Sequence, residues 1–213
     1  MLRLAPTTWH PDVFGRRALY AESPIRQQLY TKSPRWHHWR RFLRTELPAT
    51  LRPWLLDPGS LTRHLIAASG GAFRVQLLAQ TWQRPTLAEA ALLGLDHRAL
   101  ALVREVILHG RGAPWVYGRS VLPEQCLRGD LRRLRKLRDS SLGSMLFTYP
   151  QLRRAPFELA RVDGRWLPHG LACHALLWGR RSRFELDERA LIVSETFLPA
   201  FAPDYTPQRF RQV

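Results

Sequence analysis

Apolar and polar positions alternate with a two-residue period in several stretches of this chain, the signature of strands lying on a core. Between Leu100 and His109, Leu100, Leu102, Arg104, Val106 and Leu108 share one face, while Ala101, Val103, Glu105, Ile107 and His109 share the other. Both faces are largely apolar, which predicts a central strand with a covering layer or a cavity on each side. Gly110-Arg111-Gly112-Ala113-Pro114 reads as a turn, and Trp115 to Leu122 as the returning strand of a hairpin ended by Pro123. Near the C-terminus, Ala190 to Ala200 is rich in β-branched residues and is stopped by Pro199. Leu191, Val193, Glu195 and Phe197 fall on one side of that strand, and Ile192, Ser194, Thr196 and Leu198 on the other. Leu176 to Leu186 precedes it as a partner strand through a turn at Asp187-Glu188-Arg189. Ala72 to Gln83 and Pro156 to Val162 alternate more loosely and are also expected to be strands.

Helical signals sit between these strands. Pro48 to Leu56 predicts a short helix, and Pro85 to Leu95 a loop with a helical turn. Ser60 is a good N-cap for a helix beginning at Leu61 and closed by Gly70-Gly71. Ser141 can cap a second helix beginning at Leu142. Leu127 to Arg138 has helical spacing, with Leu131, Leu134 and Leu137 on one stripe and a solvated basic face elsewhere. This order of elements predicts an α+β domain with a single antiparallel β-sheet and covering helices. Residues 1–46 stand apart as an N-terminal arm, broken by prolines and carrying a basic aromatic cluster from Arg35 to Arg44. The arm either packs its Trp and Phe residues on the domain or touches an anionic lipid or protein surface. The periodic domain runs over 47–205, and 206–213 form a tail.

Two charges fall where the pattern wants none. A carboxylate at Glu195, on an apolar face, must be paired, protonated or waiting for a ligand. Arg104, in an aliphatic row, is either a buried salt bridge, a side chain reaching out at the sheet end, or a clamp for an anion. The first backbone N–H groups of the helices at Leu61 and Leu142 have no intrahelical partner and can hold an anion. On pattern alone Leu61 reads more readily as the first apolar contact of its helix. Together the four positions outline a pocket, cationic at one end and anionic at the other, if the fold brings them together.

Composition narrows the classes. With 213 residues and 45% apolar content, the chain is long enough for one well-packed domain. No apolar run approaches the roughly 20 residues of a membrane helix, and the first residues lack a continuous apolar stretch, so a secretory signal is not expected. The formal charge of +16 comes from 33 basic and 17 acidic residues, and the basic ones are nearly all Arg. Arg bias of this kind follows from a GC-rich genome, and the basic and aromatic residues fit no RRM or OB pattern, so nucleic acid is not an expected partner. Cys126 and Cys173 are isolated, as expected of a reducing compartment, and His37-His38 has no third ligand spaced to complete a metal site. A cytoplasmic enzyme or binding domain fits these bounds.

The same segments resemble the chorismate–pyruvate lyase family. The resemblance is carried by Val103-Arg104-Glu105-Val106-Ile107-Leu108, by Gly112-Ala113-Pro114-Trp115, and by Gly118-Arg119-Ser120-Val121-Leu122-Pro123. It continues through Ser141-Leu142-Gly143, Leu146-Phe147-Thr148, Leu177-Trp178-Gly179-Arg180-Arg181-Ser182-Arg183 and Glu195-Thr196-Phe197-Leu198-Pro199-Ala200. It implies helical flaps enclosing an internal ligand pocket, a monomer, and no metal or organic cofactor. It also implies conversion of chorismate to 4-hydroxybenzoate and pyruvate, the first committed step of ubiquinone synthesis. By the same resemblance Arg104 and Glu195 are the catalytic and substrate-binding side chains, and the backbones at Leu61 and Leu142 bind substrate. Leu61 replaces the more usual Met, and 163–175 is longer than the family pattern leads one to expect. Peripheral membrane contact would fall to the basic arm. The competing class is a small aromatic-acid-sensing domain of the same fold without catalysis. Such sensors carry a DNA-binding module, and a Pro-broken arm of 46 residues is too short to be one.

Overall fold

The computed structural model of the chain describes residues 33–207, apart from 138 and 169. Eight strands form one antiparallel sheet: β1 (His37–His38), β2 (Phe73–Gln83), β3 (Ala101–Gly110), β4 (Ala113–Pro123), β5 (Arg153–Arg154), β6 (Glu158–Asp163), β7 (Leu176–Leu186) and β8 (Arg189–Phe197). Their spatial order is β1-β6-β7-β8-β4-β3-β2, with β5 beside β7. Four short helices accompany it: α1 (Arg52–Leu55), α2 (Leu61–Ser69), α3 (Leu87–Leu93) and α4 (Leu142–Leu146). The α+β class with a single antiparallel sheet is the one the hydrophobic pattern predicts.

Two tight hairpins set the register. Arg111 and Gly112 join β3 to β4 with φ of +52° and +80°, the left-handed pair that two-residue hairpin loops favour. Gly110, just before this turn, answers a different need, because a Cβ there would lie 2.1 Å from the Trp115 ring. Between β7 and β8 the loop is Asp187-Glu188, and counting back from it brings Arg180 opposite Glu195.

Local chemistry accounts for the helix ends. Ser60 Oγ accepts a hydrogen bond from the Arg63 N–H at the start of α2, and Gly70 closes that helix at φ +61°. Thr86 and Glu89 form a reciprocal capping box, so the expected helical turn after Pro85 is a full helix, α3. The stretch after Pro123 departs from expectation. It forms two 3-10 segments, Glu124–Leu127 and Gly129–Lys136, rather than one α-helix. Leu131, Leu134 and Leu137 recur every three residues, which at three residues per turn stacks them on one side. All three are buried, while Arg132, Arg133, Arg135 and Lys136 are exposed.

Both sheet faces are covered. On one, Leu102, Leu122, Leu127, Leu131, Leu134 and Leu146 make an apolar cluster beneath α4 and the 3-10 segments. On the other, Leu93 of α3 packs with Val103, Val121 and Ile192. The segment 163–175 covers the rest of that second face, with Leu167 buried among Ile107, Tyr117, Leu177 and Leu198. The described part of the arm, 33–46, is built into the sheet edge. Its β1 pairs with β6, Trp39 stacks on Phe157 at 5.8 Å, and Phe42 meets Trp178 edge-on at 5.6 Å.

Candidate active site

The register lays two neighbouring cross-strand rows on one face of the sheet. One runs Gln80, Arg104, Ser120, Val193, Ser182, and the next runs Val106, Gly118, Glu195, Arg180. Most of these residues line a single cavity, roofed by Gly59–Thr62 at the start of α2 and Ser140–Gly143 at the start of α4. Arg104 and Glu195 stand on strands two apart, roughly 10 Å at ordinary strand spacing. All four positions singled out in the sequence (Leu61, Arg104, Leu142 and Glu195) meet here.

Arg104 is only 2% exposed, yet its acceptors are neutral: Gln80 Oε1 at 3.3 Å and the Ser140 carbonyl at 2.9 Å. Among the described residues no carboxylate lies within ion-pair distance of it. Burial lowers its guanidinium below the ordinary Arg value, and the charge of Asp139 opposes the shift. A buried cation without a counter-anion favours whatever carboxylate reaches it.

Glu195 has met a partner within the chain. Its Oε2 accepts from Arg180 Nε at 2.6 Å. Arg180, 1% exposed, also donates from Nη1 to the Trp54 and Asp57 carbonyls at 2.8 and 3.0 Å. The carboxylate is thereby tied to the loop that launches α2. Oε1 of Glu195 makes no protein hydrogen bond among the described residues, which leaves an acceptor for a ligand hydroxyl.

The two helix starts converge. Thr62 Oγ1 and Ser141 Oγ are 2.8 Å apart, joining the first turns of α2 and α4 across 79 residues of sequence. Ser141 Oγ also accepts from the Ser144 N–H, so one hydroxyl serves both as helix cap and as clasp. Gly143 keeps this contact uncrowded, since a Cβ would stand 3.0 Å from Thr62 Oγ1. The amides of Leu61 and Leu142 are the unpaired first donors of turns that line the cavity.

Sequence reasoning missed Arg180 and Arg154. The signal for Arg180 lay in the β7–β8 turn, from which the cross-strand partner of Glu195 follows. Arg154, on the two-residue strand β5, left no periodic trace. Three guanidiniums, of Arg104, Arg154 and Arg180, line the cavity against one carboxylate, Glu195. Such a lining suits an anionic ligand that also carries a hydroxyl. Elsewhere, Cys126 is buried and donates to the Ala190 carbonyl, with its thiol pushed up to about 11 by burial. Among the described residues no group of three or more His, Cys, Asp or Glu side chains could hold a metal ion, and no helix is long and apolar enough to cross a membrane.

On the reverse face, Arg119 donates to both Glu89 oxygens, at 2.8 and 3.1 Å, and to Glu105 at 2.8 Å. Tyr117 donates to the same Glu105 oxygen at 2.9 Å. Burial pushes the Glu89 carboxyl up, but the adjacent Arg119 charge and the hydrogen bonds from Arg119 and Thr86 together outweigh it and hold Glu89 below its ordinary value. This network fastens α3 beneath β3 and β4.

Comparison with known proteins gives these features a context. A protein named probable chorismate pyruvate-lyase in Pseudomonas fluorescens is 43% identical over 147 residues, covering 69% of this chain and 78% of its own. One of the same name in Aromatoleum aromaticum is 43% identical over 164 residues, covering 73% and 88%. Among solved structures, PhnF from Mycobacterium smegmatis aligns with a TM-score of 0.48 at 20% identity, covering 73% of this chain and 71% of that one. The sequence profile of the chorismate lyase family matches residues 35–206. On that match and those identities, the chain belongs to the chorismate lyase family.

Proposed function

We propose that the protein converts chorismate to 4-hydroxybenzoate and pyruvate, the first committed step of ubiquinone biosynthesis. It acts as a cytoplasmic monomer without metal or organic cofactor. The observation that carries this reading is Arg104, a buried cation in the cavity wall with only neutral acceptors. Chorismate brings a ring carboxylate, a ring hydroxyl and an enolpyruvyl ether. Arg104 clamps the ring carboxylate, with the Leu61 and Leu142 N–H groups assisting. Glu195, paired with Arg180, accepts a hydrogen bond from the ring hydroxyl.

The elimination breaks two bonds. The ring carbon bearing the hydroxyl loses its hydrogen, and that electron pair becomes the last π bond of the aromatic ring. The neighbouring carbon loses the ether oxygen, which leaves with its pair as enolpyruvate, and a proton ends on the methyl carbon of pyruvate. Aromatisation supplies the driving force, so the protein's task is to orient the substrate and keep water out. The test is purified protein with chorismate and a chelator, without nucleotide. Equimolar 4-hydroxybenzoate and pyruvate are expected, the first read by chromatography and the second by a dehydrogenase assay on the quenched reaction. No product above the spontaneous background would sink the reading.

A further inference from the structure

Chorismate is a dianion, and Arg104 accounts for one of its carboxylates. We propose that Arg154 forms a second anionic subsite, which holds the carboxylate of the enolpyruvyl arm and thereby separates substrate from product. This rests on the lyase reading above and names the part of the cavity that sees the leaving group.

Placement comes first. Arg154 pairs with Phe184 across β5 and β7, and its Nε and Nη2 donate to Ser182 Oγ at 2.9 and 2.7 Å. Ser182 ends the cross-strand row in which Arg104 stands, so the two guanidiniums flank the cavity floor from opposite sides. Nη1 reaches up to the Pro58 and Gly59 carbonyls at 2.7 and 3.1 Å, in the loop before α2. Phe157 and Phe184 pack against the guanidinium at 5.5 and 5.4 Å. Every acceptor of Arg154 is neutral, whereas Arg180 has Glu195 and Arg181 has Glu158.

Substrate geometry then selects it. The ring carboxylate and the hydroxyl are para, and the ether is ortho to the hydroxyl. With the carboxylate on Arg104 and the hydroxyl at Glu195, the enolpyruvyl arm leaves the ring at the Glu195 end. Two guanidiniums stand there. Arg180 already has a carboxylate partner in Glu195, whereas Arg154 is held by neutral acceptors alone and uses its Nη2 only toward Ser182, which selects Arg154. Burial, with the charge of Arg180, lowers the Arg154 guanidinium to about 10 against the opposing pull of Glu195 and Asp57. A cation held that way gains from an arriving carboxylate. Pyruvate takes this carboxylate away, so 4-hydroxybenzoate never touches Arg154.

The experiment measures binding of two stable ligands by calorimetry to wild type, Arg154→Met and Arg154→Lys. The ligands are 4-hydroxybenzoate and 3-(carboxymethoxy)-4-hydroxybenzoate, which differ only by an ether-linked carboxylate. Arg154→Met should weaken the dianion by about 10- to 100-fold, the size of a lost charge-assisted contact, and the monoanion by about threefold or less. Arg154→Lys should keep part of the preference. Equal weakening of both ligands by Arg154→Met would reduce Arg154 to a brace for the 58–59 loop and overturn the proposal. So would an unchanged preference. If Arg154→Met does not fold, Arg154→Lys decides: it loosens the loop but keeps the charge, so a surviving preference for the dianion supports the subsite and its disappearance overturns it. A wild type that fails to turn over chorismate would remove the lyase reading while the two-ligand comparison still stands.

Discussion

Replacing Arg104 by Met should move stability and ligand affinity in opposite directions. In the empty cavity this guanidinium is 2% exposed and has no carboxylate at hand. Its burial therefore opposes folding, as the lowered guanidinium value records. Met fills similar volume without a charge to desolvate. The two acceptors it abandons are cheap to leave, because Ser140 is exposed and Gln80 half-buried, so water can reach them. A net gain of about 1 kcal/mol is reasonable for exchanging a poorly compensated buried charge for an apolar side chain. For a chain of this size that raises Tm by about 2–4 °C. On the proposed clamp, binding of 4-hydroxybenzoate should lose a charge-assisted pair worth about 2–4 kcal/mol, or roughly 30- to 1,000-fold in Kd. Calorimetric melting and titration of both proteins read the two effects separately. A lower Tm combined with unchanged 4-hydroxybenzoate affinity would refute the reasoning, since Arg104 would then be a structural anchor.

Two further outcomes follow from the charge networks. In Glu195→Gln the amide oxygen can still accept from Arg180, so if Glu195 only orients the hydroxyl, kcat should fall by about tenfold or less; a loss of about 10²–10⁴, the usual size of a proton-transfer contribution, would show that Glu195 moves a proton. Because the Glu89 carboxyl lies below its unfolded value in the native state, its contribution is present above the unfolded value and is lost as pH falls through the folded one. Glu89→Gln should cost about 2–3 kcal/mol at neutral pH and flatten the loss of stability below about pH 4.5, as read by urea melts; an acid limb as steep as that of wild type would count against the Arg119 pairing.

Much of the site was legible because a charge in an aliphatic row breaks a two-residue period visibly. Arg104 and Glu195 were found that way, and the serine caps located the two helix starts. What the chain hid was relational. In Gly179-Arg180-Arg181-Ser182-Arg183 guanidiniums fall on both faces, so none stands out, yet Arg180 pairs with Glu195, Arg181 with Glu158 and Arg183 with Glu185. Arg154 lies on a strand too short to have a period. Glu89 and Arg119 are 30 residues apart, beyond any local rule. The leucines of 131–137 show the opposite error: a three-residue spacing suits a 3-10 turn as well as an α-helix, and the tighter form buries all three.

The charges on the two faces of the β3–β4 hairpin have a consequence for how the chain finds its pairing. Arg104 and Gly118 face the cavity, while their sequence neighbours Glu105 and Arg119 face the reverse side. A slip of β3 by one residue against β4 would turn Glu105 into the cavity, away from Arg119, and drive Arg104 beneath α3, away from every partner it has. Each of these charges would lose its match on burial, at a cost of several kcal/mol. The residues of the cavity floor and of the network beneath it thus reject misaligned hairpins during folding, before any ligand is present.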